Sequence, residues 1–116
     1  MDAAMDQAWR SIGPGMDGWP EAMGLLNDRS PSMLWIRGAL PLCPALAIVG
    51  TRTPDASGLE AARCLSRAAS LEGLPVASGG ALGIDTAAHE ACIEAGGRTI
   101  VLREPPYHLW EFTPGP

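Results

Sequence analysis

The residues best placed to do chemistry lie in two short stretches, Gly50-Thr51-Arg52 and Ser78-Gly79-Gly80-Ala81-Leu82-Gly83-Ile84-Asp85, with His89 and Cys92 following the second. The Arg52 guanidinium is a planar fork that fits the oxygens of a phosphate, and the Thr51 hydroxyl beside it offers another polar group. Glycines at 50, 79, 80 and 83 let the backbone turn sharply and bring main-chain amides close to an anion. A phosphate lying between Gly50 to Arg52 and Ser78 to Gly80 would meet donors from both sides. Neither stretch is the dinucleotide fingerprint G-x-G-x-x-G or the phosphate loop G-x-x-x-x-G-K-[ST], and no acidic residue ends the second apolar run as NAD binding favours. The spacing therefore leaves the identity of the anion open.

Other chemistry finds less support. Asp85 suits an acid, a base, a ribose ligand or a helix cap, with the cap the commonest use of such a residue. His89 and Cys92 are three apart on one helix face, but a metal would need Cys64 to converge on them and a fourth ligand from elsewhere, so no metal is expected. Ser78, His89 and Asp85 do not assemble into a nucleophile, base and orienting acid, because a turn that presents amides accounts for the same residues. Neither catalysis nor a cofactor is expected. Trp35 and Trp110 have faces on which bases could stack, although core packing is the default for Trp35.

The elements that position these residues follow from local pattern. Ala45 to Val49 is apolar without alternation, the signature of a strand in the middle of a parallel sheet with helices on both sides. Ser57-Gly58-Leu59-Glu60 reads as a capping box, opening a helix whose buried stripe is Leu59, Ala62, Leu65 and Ala69 and which stops at Gly73. Leu74 to Ala77 is a second strand, its early Pro75 tolerated at that position. A second helix starts at or just before Asp85 and runs through Ala87, Ala88, Ala91, Cys92 and Ala95 to Gly96-Gly97. Arg98 to Leu102 is a third strand. Three strands alternating with two helices predict a β-α-β-α-β unit with right-handed crossovers, in which ligands sit beyond the carboxyl ends of the strands. Before this unit, residues 1–18 read as a weak helix and a loop. A short helix begins at Trp19-Pro20, with Ala22, Met23, Leu25 and Leu26 along one face, and Met33 to Arg37 is strand-like. Residues 104–116 read as an irregular tail. The fold class predicted is α/β, a Rossmann-like three-layer α/β/α arrangement with a mainly parallel sheet over residues 19–103.

Bulk properties set outer limits. With 116 residues there is room for one modest core. The chain carries 13 acidic residues against 8 arginines, for a formal charge of -5, which argues against sequence-independent nucleic-acid binding through overall charge and requires any phosphate site to be local. Three cysteines at 43, 64 and 92 lack paired or metal-type spacing, which fits a reducing cytoplasm. No signal peptide or spanning segment is apparent, and a soluble cytoplasmic protein is expected.

The order of the motifs adds a further expectation. Ile48-Val49-Gly50-Thr51-Arg52, then Ser78-Gly79-Gly80-Ala81-Leu82-Gly83-Ile84-Asp85 with Ala88-His89, resembles the DprA/Smf family of DNA-processing proteins. Trp19-Pro20, Leu25, Asp28, Pro31, Leu34-Trp35 and Gly38 resemble the segment before that family's first Rossmann strand, and Gly97 to Leu102 resembles its third strand. The resemblance implies an extended Rossmann fold and a non-enzymatic single-stranded DNA binder that helps load the recombinase RecA in natural transformation and commonly works as a homodimer. It also implies that Gly50, Thr51, Arg52, Ser78, Gly79, Gly80, Ala81 and Gly83 form the DNA-phosphate pocket, with Asp85 and His89 supporting the motif.

Two departures accompany it. Arg103-Glu104-Pro105-Pro106-Tyr107-His108 stands where the family has another glycine-rich turn and a Tyr-Pro segment. The second half of the family's Rossmann domain, which carries further DNA contacts and the dimer surface, has no counterpart, so a truncated or divergent member with an exposed sheet edge is expected. The rival reading is a site for a nucleotide or phosphoribosyl compound, since Rossmann-like folds with such turns hold these ligands and some are hydrolases. A third is a fragment without function.

Overall fold

Short apolar runs separated by amphipathic helices can bury their apolar atoms only by stacking helices on a sheet, and the computed structural model of the chain does this. It describes residues 9–38 and 44–103, and the backbone of 108–112. The strands are β1 (Arg10–Ile12), β2 (Leu34–Arg37), β3 (Leu46–Ala47), β4 (Val76–Gly79), β5 (Thr99–Arg103) and β6 (His108–Phe112), and the α-helices are α1 (Ala56–Leu71) and α2 (Ile84–Glu94). They form one sheet in the order β1-β2-β6-β5-β4-β3. The β3–β4 and β4–β5 pairs are parallel, as is β2–β6, whereas β1–β2 and β5–β6 are antiparallel.

The β3-α1-β4-α2-β5 unit is the α/β core expected from the sequence. Because the strand order runs one way and crossovers share one hand, both helices fall on the same face. There Ile48, Ala62, Ala69, Val76, Ile84, Ala87, Ala88 and Cys92 form one buried cluster, with Leu46 and Leu74 packed against it. Small residues set how close the layers come. The Ser66 hydroxyl of α1 donates to the Ala88 carbonyl of α2 at 2.5 Å, a contact a bulkier residue would prevent. The buried stripe of α1 is accordingly Ala62, Ser66 and Ala69, while Leu59 and Leu65, expected inside, are 36% and 56% exposed. The helix is also capped two residues earlier than expected, at Asp55, whose carboxylate accepts from the Gly58 amide at 2.8 Å; Ser57 lies in the first turn and donates to that carboxylate.

β3 is the last strand of the sheet rather than a central one. Ile48 points into the core, but Ala45 and Ala47 are exposed and Val49 is 74% exposed. Among the described residues no strand pairs with its outer side, so the expected open edge is present there.

A second, smaller cluster of Ile12, Leu34 and Ile36, joined by Trp19 and Met23, lies at the β1–β2 end. Its cover is a 3-10 segment, Glu21–Arg29, broken at Asn27, where φ is 52°. Leu25 and Leu26 of this segment stay exposed, because a three-residue turn cannot keep Ala22, Met23, Leu25 and Leu26 on one side. Two segments expected to be irregular are strands. Arg10–Ile12 pairs with β2 and buries Ile12, and residues 1–8 of the weak helix lie outside the described residues. In the tail, His108–Phe112 inserts between β2 and β5. Three- and five-residue strands are held by their neighbours, which local sequence does not reveal. No helix among the described residues is long and apolar enough to cross a membrane.

Candidate functional site

Parallel pairing brings the carboxyl ends of β3, β4 and β5 to one edge of the sheet. Gly50-Thr51-Arg52 leaves β3 there, Ser78 to Gly83 closes β4 and leads into α2, and Arg103 ends β5. The two stretches singled out in the sequence thus lie side by side.

They touch through their backbones. The Ile84 amide, first of α2, donates to the Thr51 carbonyl at 3.2 Å. Gly83 takes φ 86°, a left-handed conformation that favours glycine, and a Cβ on it would run into the Thr51 carbonyl oxygen and the Arg52 backbone. A Cβ on Gly50 would come within 2.7 Å of Ile84 Cγ1, and one on Gly79 within 2.6 Å of Asp85 Oδ2. The absence of a side chain at 50 and 83 is therefore required by packing between the turns and helix α2, and one at 79 would displace the Asp85 carboxylate, before any ligand is considered. Gly80 differs. Among the described residues a Cβ there would meet only Arg103 Cγ and Val101 Cγ1, both at 3.9 Å, an ordinary contact, and its φ is not in the left-handed region.

The polar side chains divide in the same way. Ser78 is buried and donates its hydroxyl to the Ile48 carbonyl at 2.5 Å, tying β4 to the end of β3, so its side chain is spent inside the sheet. Thr86 of α2 donates to the Ala81 carbonyl at 2.8 Å, which fixes the middle of the turn. His89 bridges strand and turn, with Nε2 2.8 Å from the Gly79 carbonyl and Nδ1 2.5 Å from the Thr99 hydroxyl. A carbonyl oxygen can only accept, so Nε2 carries a proton. The Thr99 hydroxyl has both Nδ1 and the Val76 carbonyl, 3.2 Å away, within reach. Asp85 is 7% exposed and its Oδ1 has no hydrogen-bond partner; it lies in the first turn of α2, where the helix dipole favours a negative charge. His89 underpins the turn from within, and the Asp85 carboxylate packs beside Gly79.

Open to solvent at the edge are Gly50, Thr51, Arg52, Gly80, Leu82 and Arg103. The Thr51 hydroxyl accepts from the Thr53 amide at 3.1 Å, which orders the first turn and leaves Arg52 projecting. Elsewhere Arg63 pairs with Glu94 at 2.9 Å, Arg10 donates to the Gly38 carbonyl, and Arg37 lies over the Trp9 ring. Among the described residues Arg52 and Arg103 make no ion pair. Arg103 escaped the sequence reading because it follows a strand with no glycine turn to mark it; the signal was the parallel register, which carries β5 to the same edge as β3 and β4.

Other expectations are placed elsewhere. Cys92 is buried, and desolvation pushes its thiol up, opposed by hydrogen bonds from Ser70, Val76 and Thr99, while Cys64 is exposed on α1. Trp35 lies in β2, three strands removed from β4, away from the edge. The side chain of Trp110, and Cys43, lie outside the described residues.

Similarity to known proteins agrees with this arrangement. The model of the family described as DNA recombination-mediator protein A matches residues 10–105. The DNA processing protein DprA of Streptococcus pneumoniae (strain R6) is 37% identical over 88 residues, covering 74% of this chain and 30% of its own length. Protein Smf of Synechocystis is 42% identical over 59 residues, covering 51% of this chain and 15% of its own. The X-ray structure of DprA from Streptococcus pneumoniae superposes with a TM-score of 0.72 at 29% identity, over 94% of this chain and 46% of that one. The chain thus spans less than a third of these curated relatives and just under half of the solved one.

Proposed function

Since the chain belongs to the DNA recombination-mediator protein A family, we propose that it binds single-stranded DNA by the backbone, holding a phosphate between Arg52 and the turn from Ser78 to Gly83. The observation that carries this reading is an arginine without an ion pair among the described residues, projecting beside a glycine turn at the ligand edge of a parallel sheet. In a chain of net charge -5, attraction to DNA has to be concentrated at such a point. Main-chain groups of Gly80 and Ala81 offer contacts that do not depend on base identity. Gly50, Gly79 and Gly83 contribute by letting the two turns meet, and Asp85 and His89 by holding the second turn.

The same reading makes the protein a binder rather than a catalyst. Ser78 and His89, the side chains a reaction would draw on, already have internal partners. A cytoplasmic role in natural transformation and recombination, delivery of the strand to RecA, and pairing with a second copy belong to it as well, by analogy with the family.

A labelled oligothymidylate titrated into the protein at low and at raised salt tests the core of the proposal. Binding should weaken with salt, and Arg52→Ala should weaken it further and reduce the slope of log K against log salt by about 0.7, the contribution of one phosphate on a single strand. An oligonucleotide that fails to bind even at low salt overturns it.

A further inference from the structure

We propose that Arg103 and Gly80 form a second phosphate subsite, so that the edge grips two successive phosphates of one strand; this rests on the reading of Arg52 above. Three observations lead to it. First, Arg103 closes β5 as Arg52 follows β3, with β4 between them. The turn from Ser78 to Gly83 lies between them, with Gly83 against the Arg52 backbone and Gly80 beside the Arg103 stem, so the two arginines flank the turn and each can serve its own phosphate.

Second, Gly80 is the glycine of the turn that neither packing nor backbone conformation explains. Gly50, Gly79 and Gly83 would each collide with protein atoms, whereas a Cβ on Gly80 would make only ordinary contacts among the described residues, with Arg103 Cγ and Val101 Cγ1 at 3.9 Å. Gly80 thus lies beside the Arg103 stem. A phosphate oxygen resting on the Gly80 backbone would be within reach of the guanidinium at the end of that stem. Third, Arg103 is exposed and without an ion pair among the described residues, although acidic residues outnumber arginines 13 to 8. An exposed arginine whose planar fork no carboxylate engages among the described residues is available to an external anion.

The ligand chemistry is a pair of linked phosphates, which a DNA backbone and a nucleoside diphosphate both present. The structure favours the strand, since the edge is a solvent-exposed rim on which a polymer can lie across three β-strands.

The test compares oligothymidylate and ADP binding to the wild-type protein, Arg52→Ala, Arg103→Ala, Gly80→Ala and the control Arg67→Ala. Arg67 is exposed on α1, eleven residues and so ~16 Å along the helix from Ala56, and its loss changes net charge equally. Arg103→Ala should weaken the oligonucleotide roughly threefold to tenfold and lower the salt slope by about 0.7, as Arg52→Ala does. Gly80→Ala should keep the wild-type melting temperature and still lose affinity, which a merely structural glycine would not do. If Arg52→Ala weakens binding while Arg103→Ala behaves like Arg67→Ala, the second subsite is refuted and the first reading stands. If the wild type binds no oligonucleotide but holds ADP, and Arg103→Ala abolishes that, the subsite stands with a diphosphate as its occupant and the DNA reading falls. If neither ligand binds, both fall.

Discussion

Ser78 looks like a ligand residue by its place in the turn, yet its hydroxyl is directed into the sheet, at the Ile48 carbonyl. Ser78→Ala leaves that buried carbonyl without a partner, at a cost of about 1–3 kcal/mol. Urea unfolding should show the loss as a lower midpoint, while the folded variant keeps its oligonucleotide affinity within about twofold; unchanged stability with weakened binding would return the hydroxyl to the ligand. The glycines make the same distinction between support and contact. At 50, 79 and 83 the residue type answers to Ile84, Asp85 and the Thr51 carbonyl, and at 80 no described residue comes close enough to forbid a side chain. Residue type and spacing alone cannot separate these cases, because a glycine that admits a helix and one that admits an anion are written identically. Arg52 was legible because it follows a marked turn, and Arg103 was not, because its relevance comes from strand order.

At the scale of elements, α1 owes its start to Asp55. Asp55→Ala should lower stability by about 1 kcal/mol in thermal or urea unfolding, and Ser57→Ala by much less, since Ser57 only reaches the Asp55 carboxylate at 3.3 Å; the opposite ranking would restore the capping box. The sequence offers both caps within three residues, and which one forms depends on where the chain arrives from β3. The β-α-β-α-β unit was readable because each of its elements carries its own period and its own stop. β1, β6 and the 3-10 segment were not, since each takes its conformation from neighbours: β6 from β2 and β5 on either side, and Glu21–Arg29 from the small cluster it covers. The buried face of α1 was hidden for a related reason. Ala and Ser outrank Leu on its buried face because α2 lies close enough for Ser66 to reach Ala88, a distance set by the partner helix.

For the whole molecule, the arrangement is one-sided over β3 to β5, with both α-helices on one face and Ala47 and Val49 bare on the other at an open edge. Exposed apolar surface beside an unpaired strand favours association. Val49→Asp, which wets that face without entering the core, should reduce the concentration dependence of the mass seen by light scattering and leave the melting temperature within a few degrees. An equal tendency to associate in both proteins would place the contact elsewhere. The acidic balance of the chain works in the opposite sense to its proposed ligand, so recognition is confined to the rim where β3, β4 and β5 end. That rim is built as one piece, because the Ile84 amide holds the Thr51 carbonyl and Gly83 sits against the Arg52 backbone. A DNA strand bound there as proposed would meet two turns whose relative position was settled when the protein folded. Little ordering entropy is left to be lost on contact, and the encounter resembles a key meeting a rigid ward more than a hand closing on a rope.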